Sequence, residues 1–151
     1  MNELLHTLSW PVLAVLHAAV TWYLVGLIWM VQVVHYPLFA AVGAVQFTRY
    51  EQDHCRRMGF VVMAPMLLEV ALAAWVVAIA PPSVGAWPLV GVGALGAVWA
   101  STFFVQVPCH RRLERGFDAA AVRRLVRTNW IRTFAWSVRG VVAAIMLLPP
   151  M

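Results

Sequence analysis

Four long apolar runs dominate this chain, and they leave it few folding options. They cover about 10–34, 58–80, 87–107 and 130–148. Each is long enough to cross a bilayer core, which takes about 20 helical residues. Spanning β-strands would be shorter and would alternate apolar with polar residues. The expected fold is therefore all-α, an integral-membrane four-helix bundle formed by one domain over 1–151. The first run is expected to be a membrane helix rather than a cleavable signal, because no basic segment precedes it and it is too long.

The connections fix an orientation. Residues 35–57 and 108–129 form two long polar connections, whereas Pro81, Pro82 and Gly85 mark a tight turn. The two long connections then share one side, and the tight turn and both termini share the other. Of the 151 residues, 63% are hydrophobic and only 11% charged, and all eleven basic residues are arginine. Ten of them (Arg49, Arg56, Arg57, Arg111, Arg112, Arg115, Arg123, Arg124, Arg127 and Arg132) belong to the long-connection side. The positive-inside rule puts that side in the cytoplasm and the termini outside. This is the arrangement expected of a bacterial inner-membrane protein with periplasmic termini. It also accounts for the net charge of +5 without a nucleic-acid partner. The partners expected instead are the bilayer itself and a hydrophobic small molecule or quinone, with a homodimer left open.

Local signals refine the helix ends. Trp10, Trp87 and Trp130 sit where interfacial tryptophans belong. Residues 46–57 can extend the second helix. Asp118 is a candidate N-cap for the fourth, and Gly116 suits the turn before it. Pro37 and Pro108 are expected to mark helix ends. Pro65 predicts a kink, and Gly91, Gly93 and Gly96 permit close helix contact. Val31-Gln32-Val33 and Val105-Gln106-Val107 are a faint internal echo, each followed by a basic connection.

With so few polar residues, their placement is the main functional clue. His35, His54 and His110 lie at one depth, at the cytoplasmic edge, on three different helices. Three imidazoles can hold an open transition-metal site. Glu51 precedes His54 by three residues, the Glu-x-x-His element of carboxylate-bridged metal bundles. Iron or copper held by His35, His54, His110 and Glu51 is the leading expectation. Haem b with two of these histidines as axial ligands is the alternative. Interfacial histidines also serve as plain headgroup contacts, so a non-catalytic scaffold stays open as well. Gln32, Gln106 and Trp130 are expected to line a polar cup there, with Asn129 and Arg132 positioning a substrate. Cys55 and Cys109 flank the site as soft ligands or inert packing.

A second polar layer lies deeper. Glu69 is 11 residues past Met58, roughly 16 Å at about 1.5 Å per residue. Arg139 is 9 residues past Trp130, roughly 14 Å by the same rise. Charges inside an apolar surround tend to pair, so a Glu69–Arg139 ion pair is expected. His17 lies 18 residues before His35, roughly 27 Å along a straight helix. It cannot share a metal with His35 but can approach the Glu69 level. His6 falls at the outer surface and carries no assigned role.

The run Pro108-Cys109-His110-Arg111-Arg112-Leu113, followed by Asn129-Trp130-Ile131-Arg132 and Trp136 to Arg139, resembles the small four-helix membrane proteins grouped with the anthrone oxygenases. Members carry a Pro, a polar residue that is often Asn, then Leu after their third span, and a Trp/Asn/Arg set on the fourth. The resemblance is confined to the second half of the chain. It implies an oxygen-using enzyme with an oxidisable, hydrophobic substrate. By position, Asn129, Trp130 and Arg139 match the later polar set. His110 stands where the family often has Asn, a departure that points to a metal and keeps the family's substrate and mechanism from transferring directly.

Overall fold

A computed structural model describes residues 2–148, with side chains from Trp10 onward. His6 lies outside the residues whose side chains are described. The described residues are mostly helical, with no strand among them. The first helix runs Asn2–Met30 and the second Ala44–Ile79. The third runs Trp87–Ser101 and the fourth Ala119–Ile145. Three segments are long and apolar enough to cross a membrane, namely Trp10–Ala41, Ala44–Ile79 and Trp87–Leu113. The fourth helix falls short on composition, because it carries Arg123, Arg124, Arg127, Arg132 and Arg139.

The helices extend well into the segments that looked like connections. The second starts at Ala44, so the polar run 46–57 is its first turns. The fourth starts after Asp118, whose carboxylate accepts from the backbone N–H groups of Ala120 and Ala121 at 2.8 and 2.9 Å. That is the N-cap geometry, which satisfies donors that no helical carbonyl can reach. Gly116 before it has φ 149°, a backbone angle that side chains disfavour.

Pro37 and Pro108 do not end their helices, contrary to expectation. Each follows a π-helical turn, Val31–His35 in the first helix and Thr102–Gln106 in the third. The Tyr36 N–H bonds back to the Val31 carbonyl, and the Val107 N–H to the Thr102 carbonyl, five residues away in each case. Proline lacks an N–H and its ring crowds the carbonyl four residues back. A wider turn relieves that conflict and lets the chain resume as Tyr36–Leu38 and Val107–Leu113. Pro65 sits inside an unbroken second helix.

Three apolar clusters stack along the bundle. One holds Phe39, Phe47, Leu113 and Leu125. The next holds Leu24, Ile28, Met66, Val98 and Trp136. The last holds Leu13, Leu72, Val76 and Val142. The exterior is apolar too, with Phe60 79% and Phe104 80% exposed. An apolar exterior of this extent suits lipid rather than water. Of the three glycines expected at helix contacts, only Gly91 makes one. A Cβ there would meet Arg139 Nη1 at 3.2 Å and Val142 Cγ1 at 3.4 Å, whereas Gly93 and Gly96 face open space.

Candidate functional site: two buried polar layers

The deeper layer contains the ion pair expected from the depth arithmetic. Arg139 donates from Nε to Glu69 Oε1 at 2.6 Å. Its Nη1 donates to the Gly91 carbonyl at 2.6 Å, and Nη2 lies 3.0 Å from His17 Nε2. The Thr21 hydroxyl donates to the same Glu69 oxygen. Glu69, Arg139, His17 and Thr21 are all buried. The layer therefore joins all four helices through one guanidinium and one carboxylate. Thr21 and the Gly91 carbonyl were not foreseen. Thr21 is one turn beyond His17, on the same helix face, which is the signal that identifies it.

The layer near the second-helix start gathers the three histidines. His35 Nε2 and His54 Nδ1 are 2.8 Å apart. One of these nitrogens carries the proton and the other is bare. The His54 and His110 rings stack with centroids 5.3 Å apart. His110 Nδ1 meets Glu51 Oε1 at 2.5 Å, and its Nε2 lies 3.0 Å from the Tyr36 hydroxyl. Glu51 is fully buried, and its Oε2 has no partner among the described residues. Cys55, one turn beyond Glu51, points its sulfur at Glu51 Oε1.

The donor atoms that lie closest together are not the set expected. Glu51, Cys55 and His110 each offer one ligand atom, all within 4.8 Å of one another. His35 and His54 stand beside this group and bond to each other. Two imidazoles bound on opposite sides of one metal hold their nitrogens about 4 Å apart, twice a bond of about 2.0 Å. The facing nitrogens of His35 and His54 are too close for a porphyrin to lie between them.

The cup-lining residues divide. Gln32 accepts from Asn129 Nδ2 at 2.9 Å and donates to the Val126 carbonyl at 3.2 Å. Both side chains are buried, so Gln32 and Asn129 fasten the first helix to the fourth. Trp130 is exposed on the outer face, edge-on to Trp29 and stacked with Phe134. Gln106 and Arg132 do reach the interior space. They line a cavity of about 320 Å³ together with Tyr36, His54, Cys55 and His110. Its remaining wall is largely apolar, from Leu24, Ile28, Met58, Val62, Met66 and Trp136. The exposed Gly59 and Met63 of the second helix and Arg111 of the third also line it, so it opens between those helices.

Away from the buried layers, Asp118 is held below its ordinary carboxyl range, first by the Ala121 N–H and then by Arg112. No family model, curated protein or solved structure matches this chain.

Proposed function

We propose that this chain is a membrane-embedded, metal-dependent oxidoreductase that uses dioxygen on an apolar substrate. The observation that carries the reading is the Glu51–Cys55–His110 group, of which Cys55 and His110 line a largely apolar cavity and Glu51 is buried behind them. A fully buried carboxylate with an unpartnered oxygen is costly unless something binds it. A mixed oxygen, sulfur and nitrogen set suits iron or copper. Glu51, the Cys55 thiolate and His110 Nδ1 would hold the metal. The Tyr36 hydroxyl, accepting from His110 Nε2–H, would fix the ring, the usual role of the group behind a ligating histidine. The metal would supply one-electron redox chemistry. The cavity wall would orient an apolar substrate and exclude water. Dioxygen enters the reading through the resemblance of the second half to the anthrone oxygenases.

The apolar exterior, the four helices and the arginine asymmetry support a place in a bacterial inner membrane, with the arginine-rich end cytoplasmic. Elemental analysis of the purified protein is the test. Stoichiometric iron or copper, lost in Cys55→Ser and Glu51→Gln variants, is expected. Absence of any transition metal, both as purified and after reconstitution, overturns the proposal.

A further inference from the structure

The fourth helix carries two buried arginines seven residues apart, and they differ in one respect. Arg139 has its counter-ion built in, through Glu69. Arg132 is only 7% exposed, yet no carboxylate pairs with it among the described residues, and its Nε has no hydrogen-bond partner. It lines the cavity. The Tyr36 hydroxyl is its neutral neighbour, but burying a charge with no opposite charge beside it is unfavourable, and the other buried arginine has that opposite charge in Glu69.

We infer that the missing counter-ion arrives with a ligand: the cavity binds an amphiphilic carboxylate, its head on Arg132 and its apolar chain along the wall. This rests on the same cavity as the proposed function, but not on the metal. The wall supports it. Leu24, Ile28, Met58, Val62, Met66 and Trp136 make an apolar channel. Beside Arg132 the lining carries Arg111, His54 and His110, against Glu114 as its one acid. The volume of about 320 Å³ sits at the small end of ligand pockets, which run about 300–1,000 Å³. It accommodates a single medium-length chain rather than a two-tailed lipid. The opening between the second and third helices gives such a molecule a lateral entrance from an apolar surround. A guanidinium matches a carboxylate with paired N–H donors, which a hydroxyl head cannot reproduce.

The test is equilibrium binding of radiolabelled decanoate to chelator-treated, metal-free protein in phosphatidylcholine nanodiscs, with empty nanodiscs subtracted. Saturable binding is expected, and decanol and decyltrimethylammonium should bind more weakly by roughly tenfold to a hundredfold, the worth of one charge-assisted contact. Arg132→Gln should lose affinity to the same degree, and Val62→Trp, which fills the channel and leaves Arg132 intact, should abolish binding. Equal affinity for decanoate and decanol overturns the inference, and so does an unchanged Arg132→Gln variant. Preference for decyl phosphate over decanoate overturns the carboxylate assignment. The comparison of head groups needs no variant, so it stands even if Arg132→Gln fails to fold. Because the protein is metal-free, the result is independent of the metal assay that tests the oxidoreductase proposal.

Discussion

Arg139 and Glu69 meet at 2.6 Å with side chains 1% and 0% exposed, on helices that are distant in sequence. Breaking a buried pair from one side strands the other charge, which costs about 3–5 kcal/mol. Arg139→Gln and Glu69→Gln should each lower stability on that scale. The double variant should lose clearly less than the sum, because neither charge is then left alone. Unfolding midpoints in detergent for the full cycle measure the coupling.

Gly91 offers a control within one helix. Gly91→Ala pushes a methyl against Arg139 Nη1 and Val142 and should cost about 1–3 kcal/mol. Gly93→Ala and Gly96→Ala meet nothing and should stay within about 0.5 kcal/mol. Equal losses at all three positions would contradict this packing.

The proposed metal site makes a prediction that the histidine pattern alone does not. His110→Ala should lose bound metal, whereas His35→Ala should retain it, since His35 bonds to His54 and stands outside the Glu51–Cys55–His110 group. Asn129→Ala should leave metal content unchanged. It should cost about 1–3 kcal/mol of stability by leaving Gln32 Oε1 short of its main donor. Metal analysis and unfolding midpoints on the same three variants separate the two effects.

Asp118 sets an acid limit on the start of the fourth helix. Its carboxyl is held below the ordinary range when folded, so its contribution is present above the unfolded value and disappears as pH falls through the folded one. Asp118→Asn keeps a capping oxygen but should remove this acid dependence. Asp118→Ala should lose the cap at every pH. Unfolding midpoints followed into the acid range check both.

Much of this arrangement is legible before any coordinates. Apolar run length gives the helices, and counting residues from span ends puts Glu69, Arg139 and His17 at one depth. What counting does not give is rotation. Each π turn adds a residue, which turns everything beyond it by about 100° relative to a regular helix. Tyr36 and His110 lie beyond such turns, and no 3.6-residue pattern registers their pairing. The proline expectation failed for the same reason. Cys55 was a legible neighbour, four residues from Glu51 on one face, but its sequence carries no mark separating a ligand from packing. Trp130 was misplaced by treating depth as direction. Stepping back from Arg139 by three, seven and ten residues reaches Trp136, Arg132 and Asn129, all buried, and leaves Trp130 on the outer side.

The cross-linked deep layer has a consequence for biogenesis. His17, Thr21 and Glu69 belong to the first helical hairpin, while Gly91 and Arg139 belong to the second. Each hairpin alone carries an ionisable group whose counter-ion is on the other. Neither hairpin holds the Glu69–Arg139 pair by itself, so only the docked bundle completes this layer. The unit of assembly is the whole bundle, because a half-formed structure leaves each of these two charges without the other.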